Sequence, residues 1–91
     1  MPAPPSQVSF DDEAEMLDLW ELLSRRLLAA RTRAELYQRQ VARRMGTSTS
    51  AVSRLENALG HPPGLITLSK YARAVGCRLE VHLVPLHWQD E

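Results

Sequence analysis

Apolar residues recur at steps of three and four near the start of the chain. Met16, Trp20, Leu23, Leu27 and Ala30 form one stripe, the spacing of an amphipathic helix. Leu17, Leu19, Leu22 and Leu28 widen it beyond a simple amphipathic face. A stripe this wide needs cover on two flanks, from the domain core alone or from the core and a partner chain. The helix is expected to begin at Asp11 or Asp12, where acids suit the positive end of its dipole. The pattern falters between Arg31 and Tyr37. It resumes as a short helix over Gln38 to Met45, with Val41, Ala42 and Met45 inward. Gly46 stands where a helix closes in a left-handed residue, and Thr47 and Ser48 offer an N-cap for the next helix. That third helix is expected over Thr49 to Asn57, with Val52 and Leu55 inward. Gly60-His61-Pro62-Pro63-Gly64 is a firm break. A fourth helix follows over Leu65 to Val75, carrying Leu65, Leu68, Tyr71, Ala72 and Val75 at helical spacing and ended by Gly76.

The period then changes to two. In the run from Cys77 to Val84, Leu79, Val81 and Leu83 alternate with Arg78, Glu80 and His82, the pattern of a half-buried strand. A lone strand cannot satisfy its own backbone. Its expected partner is the same strand in a second copy, or a strand of another protein, with Gln7–Phe10 as the alternative within the chain. The predicted organisation is a flexible segment over 1–10, a helical domain over 11–76, a strand over 77–86 and a tail over 87–91. The fold class is mainly α: four helices and one C-terminal strand paired across a homodimer.

Ninety-one residues, 44% of them apolar, make one domain with a modest core. Five aromatic residues leave that core to Leu, Val, Ala and Met. The single cysteine, Cys77, can form neither an internal disulfide nor a cysteine-based zinc cluster, and reads as a buried thiol in a reducing cytoplasm. No apolar run approaches the roughly 20 residues of a membrane span, and Met1 to Phe10 lacks the pattern of a signal peptide. The formal net charge is zero, but its distribution is uneven. Residues 1–24 hold six acids and no Lys or Arg, whereas residues 25–54 hold eight arginines against Glu35 alone. Basic charge gathered on one segment is the footprint of phosphate binding, or else a solvated helix surface.

The element between Gln38 and Asn57 bears on function. Two short helices joined at a glycine define a helix-turn-helix. Ala42 is small where the helices cross, Gly46 can take a positive φ, and Val41, Met45, Val52 and Leu55 fix the angle. The first turns of the second helix then project polar side chains, as reading a major groove requires.

Here the chain resembles the lambda-repressor-like, or Xre, family. The phrase QRQVARRMGTSTSAVSRLEN carries the resemblance through Gln38, Val41-Ala42, Met45-Gly46, Ser48, Ala51-Val52-Ser53 and Leu55-Glu56-Asn57, and the run Leu65 to Gly76 is similar to the family's fourth helix. The resemblance covers about residues 23–84. It implies that Gln38 contacts a phosphate and that Thr49, Ser50, Ser53 and Arg54 reach base edges. Of these, Arg54 can hold guanine O6 and N7 bidentately, worth roughly 1–3 kcal/mol of discrimination. Asn57 is expected on the DNA backbone, and Arg39 and Arg43 on phosphates or merely in solvent. The resemblance also implies an ion pair between Arg31 and Glu56 that fixes the reading helix. Three departures stand out: Glu35 where the family usually has glycine, Tyr37 where a Ser or Thr cap is common, and a strand where the phage repressors have a fifth helix.

The tail, LSKYARAVGCRLEVHLVPL, is similar to HigA-type antitoxins, whose toxins are RelE/HigB-like ribonucleases, and more distantly to HipB, which partners a kinase-fold toxin. The expected function is transcriptional repression of the protein's own operon as an antitoxin homodimer on double-stranded DNA bearing an inverted repeat. A stand-alone regulator and a protein-interaction module are the alternatives. The acidic head would suit a basic ribonuclease, or is ordinary enrichment of acids at a helix start. No enzyme, metal or cofactor is expected. His82 and His87 fall on opposite sides of a strand, His61 sits in the Pro-Pro loop as a phosphate contact or simply exposed, and no base is placed to activate the serines of 47–53. Trp88 is read as packing on the strand or anchoring a partner.

Overall fold

A computed structural model of the chain describes residues 12–85, with side chains from 15 onward. Four helices follow one another: α1 (Asp12–Arg33), α2 (Gln38–Met45), α3 (Thr49–Glu56) and α4 (Leu65–Ala74). The expected segment over 1–10, the end of the strand at 86, and the tail with His87 and Trp88 lie outside the described residues.

The core is where the faces of the four helices converge. Leu27 from α1, Val41 and Ala42 from α2, Val52 from α3, and Leu68, Tyr71 and Ala74 from α4 are buried together with Val75. Leu23, Ala30, Leu36, Met45, Leu55 and Leu79 pack around them. Fully burying each Val or Leu contributes about 1.5–3 kcal/mol, which draws four short amphipathic elements into one body. Trp20 anchors the long helix at a second point, its indole Nε1 donating to the Gly60 carbonyl at 3.1 Å in the loop between α3 and α4.

All four helices end in the same way. An amide two or three residues beyond the helix reaches back five positions to a carbonyl: Leu36 to Arg31, Thr47 to Ala42, Leu59 to Arg54 and Cys77 to Ala72. The residue before each donor is left-handed: Glu35 at φ 59°, Gly46 at 76°, Ala58 at 54° and Gly76 at 79°. This is the Schellman termination, which glycine fills without steric cost. Glu35 therefore occupies a glycine conformation, which accounts physically for one departure noted above. Glu35→Gly is expected to raise stability by about 0.5–1 kcal/mol, the relief of left-handed strain exceeding the entropy glycine adds to the unfolded chain. Urea denaturation checks it, and a lower midpoint in the variant contradicts it.

Tyr37, another departure, supplies no side-chain cap to α2. Half of a capping box replaces it: Gln40 Oε1 accepts from the Tyr37 amide at 2.7 Å. At α3 the Ser48 hydroxyl oxygen accepts from the Ala51 amide at 3.1 Å. Ser48→Ala is expected to cost about 1 kcal/mol, read as a lower thermal midpoint.

Several sequence expectations need correction. Among the described residues there is no strand, and 77–85 has no regular secondary structure. A strand exists only through its ladder, and this segment has none among the described residues. The three residues expected on one strand face are divided: Leu79 packs on the core, whereas Val81 and Leu83 are exposed. Cys77 is an exposed thiol, not a buried one, because it follows the turn at Gly76 and no described residue lies over it. Met16 and Leu65 share the spacing of the buried stripes but sit at helix ends, beyond the reach of neighbouring helices, and are exposed.

A helix-turn-helix surface

The position of α3 is set from behind by one carboxylate. Glu56, at its last turn, is buried, and every other helix supplies a donor to it. Arg31 of α1 holds it with two bonds, Nε to Oε2 at 2.7 Å and Nη2 to Oε1 at 2.9 Å. Gln38 of α2 donates Nε2 to Oε1 at 2.9 Å. Tyr71 of α4 places its hydroxyl 2.5 Å from Oε2 and 2.8 Å from the Leu27 carbonyl; its one proton favours the charged acceptor. Arg31 spends its remaining arm on the Leu36 carbonyl at 2.8 Å, bracing the turn before α2.

The electrostatics follow from this packing. Burial alone would raise the Glu56 carboxyl, but hydrogen bonds from Arg31, Tyr71 and Gln38 outweigh it and hold the group below the usual carboxylate range. Arg31 is raised, chiefly by its bonds to Glu56. Tyr71 is pushed well above the usual phenol range, by burial first and by the adjacent carboxylate second.

With Val52 and Glu56 buried and Leu55 half-buried, α3 turns its opposite face to solvent. Thr49, Ser50, Arg54 and Asn57 are exposed there, and Ser53 is half-buried at the edge. Asn57 folds its amide back, Nδ2 donating to the Ser53 carbonyl at 2.8 Å, so its carbonyl oxygen is the group left outermost. Arg54 lines an open hollow of about 430 Å³ together with Met45, Leu55, Leu59, His61 and Lys70. Its guanidinium passes close over Gly60, where an added Cβ would sit 3.4 Å from Nη2.

The surrounding cations differ in their freedom. Arg39 lies over the Tyr37 ring, 4.8 Å from its centroid, and Arg43 is exposed beside it on α2. Arg44 is engaged, donating to the Ala74 carbonyl at 2.7 Å and so capping α4. Among the described residues the ion pairs are Arg31–Glu56, Arg78–Glu80 and His82–Glu80. Arg39, Arg43, Arg54 and Lys70 therefore face solvent without a described carboxylate beside them.

A family model, described as helix-turn-helix (HTH_3), matches residues 27–81, more than half of the chain. The chain belongs to this helix-turn-helix family. Its members are DNA-binding transcription regulators of the Xre or lambda-repressor-like kind. No curated protein and no solved structure gives a match. No helix of this helix-turn-helix protein, among the described residues, is long and apolar enough to cross a membrane.

The outward face of the motif and its scaffold thus separate. Thr49, Ser50, Arg54, Arg39 and Arg43 point outward, whereas Arg31 and Glu56 hold the helices together. Gln38, expected from the resemblance to touch a phosphate, gives one amide hydrogen to Glu56 and keeps a second for an outside acceptor. Periodicity missed two participants. Tyr71 read only as a core residue, although a buried tyrosine hydroxyl usually has a partner. Lys70 carries no signal in the sequence; it lines the same hollow as Arg54 from a different helix.

Proposed function

We propose that the protein is a sequence-specific transcriptional repressor that binds an inverted-repeat operator as a homodimer in the cytoplasm. The observation that supports this best is Arg54, an exposed guanidinium without a described carboxylate, at the middle of the outward face of a helix braced from behind. In this reading α3 enters the major groove. Arg54 reads a guanine, Thr49, Ser50 and Ser53 contact neighbouring base edges, and Arg39, Arg43, Gln38 and Asn57 hold the sugar-phosphate backbone. Phosphate contacts release counterions, so affinity falls with salt, with a slope of about 0.9 per contact. Arg39→Ala and Arg43→Ala are each expected to reduce the log–log salt slope by about one on any duplex. Unchanged slopes in both variants would remove these arginines from the interface.

A finer reading makes the protein an antitoxin of HigA type, with a HipB-like role second, neutralising a RelE/HigB-like ribonuclease by direct binding. Its support is the resemblance of the tail together with Val81, Leu83 and Val84, apolar side chains exposed on the segment after the helical domain. Such a segment offers backbone for strand pairing to a toxin or to a second copy beside Val81 and Leu83, with Leu79 tying its start to the core. Purifying the protein with the product of its neighbouring gene tests this. A stable complex lost when Val81 and Leu83 become serine supports the antitoxin. Operator binding with no complex leaves a stand-alone regulator.

A further inference from the structure

Glu15, Leu19, Leu22 and Arg26 are separated by four, three and four residues and so lie in one row along α1. The row is distinct from the face that holds Trp20, Ser24 and Leu27 in the domain. All four residues are exposed, Leu19 at 65% and Leu22 at 47%. Neither Glu15 nor Arg26 forms an ion pair with any described residue.

The order of the row decides its partner. It reads acid, leucine, leucine, base, and its spacing is the same from either end, with the midpoint between Trp20 and Glu21. Reversed, it reads base, leucine, leucine, acid. A second α1 laid antiparallel therefore meets it with leucine on leucine at the centre and opposite charges at both ends. Two-fold interfaces demand this self-complementarity, because each residue must suit its symmetry mate. A uniformly acidic or basic partner would meet a like charge at one end of the row.

We propose that α1 is a docking surface for α1 of a second copy of this chain, antiparallel, with Leu19 against Leu22 and Glu15 against Arg26 on each side of the axis. The row spans about 16 Å of helix. This rests on the homodimer reading above and assigns its contact to α1. It also accounts for Leu19 and Leu22, two of the leucines that widen the stripe of α1 beyond what the domain core covers.

The test is sedimentation of the full-length chain over a range of concentrations. Glu15→Arg and Arg26→Glu each place like charges together at both ends of the pair. Each should raise the dimer dissociation constant about tenfold or more, with circular dichroism melts unchanged. Mixing the two variants should restore association, since one chain then carries two bases in the row and the other two acids. Leu19→Asp should abolish association in either background. A dimer indifferent to both charge variants, or a mixture no tighter than its components, overturns the α1 assignment and leaves the homodimer standing. A wild-type chain that is monomeric at every concentration overturns both.

Discussion

Replacing Arg31 with Met is expected to cost the domain about 3–5 kcal/mol, because it leaves the buried Glu56 carboxylate without its bidentate partner. Small domains hold only about 5–15 kcal/mol in total, so the variant should be partly or wholly unfolded at moderate temperature. The loss has a pH signature that a cavity would lack. In the native protein the Glu56 carboxyl is held below its ordinary value. Its contribution is therefore complete above about pH 4.3, where the unfolded chain titrates, and is lost as pH falls through the lower folded value. In the variant burial acts without the guanidinium and raises the carboxyl, so acidification neutralises a buried charge. The stability difference between the two proteins should narrow as pH falls toward 4 and widen toward 7. Urea midpoints across that range measure it, and a difference independent of pH would mean that packing, not charge, explains the loss. Tyr71 shapes the alkaline side. Its raised pKa means that its contribution is present below about pH 10 and is lost as pH rises beyond, where the unfolded chain ionises first.

The second large effect falls on recognition. Arg54→Ala should weaken operator binding by about 1–3 kcal/mol, roughly ten- to a hundredfold, while changing binding to scrambled DNA far less. Titration of both duplexes at one salt concentration reads the ratio. Equal losses on both would reduce Arg54 to a phosphate contact. The fold should not change in this variant, because the guanidinium lines an open hollow and supports none of the buried residues.

Much of this architecture was legible before any coordinates. Gly46 and Ser48 mark one helix end and one helix start within three residues, so the end of α2 and the start of α3 follow from local chemistry. Core positions such as Val41, Val52 and Leu68 follow from period. What periodicity cannot supply is distance to the next element. Met16 and Leu65 continue stripes whose other members are buried, yet they extend past the ends of their neighbours. The alternation of 77–84 describes a segment able to pair but contains no partner. The convergence of Gln38 and Tyr71 on Glu56 depends on how three helices cross. Only the Arg31 partnership could be anticipated, and that from family resemblance. Glu35 looked like a departure at a junction, and its left-handed backbone shows that the junction keeps its shape at an energetic cost.

The single carboxylate that gathers donors from three helices has a consequence for how this molecule can diversify. None of Thr49, Ser50 or Arg54 takes part in that cluster, and none is buried. Sequence drift at these positions is almost decoupled from folding, so under the operator-reading role proposed above new preferences are accessible through single steps that leave the scaffold intact. Drift at Arg31, Gln38, Glu56 or Tyr71 has no such freedom. Descendants of this chain should vary on the outward face of α3 long before they vary in how they hold that helix.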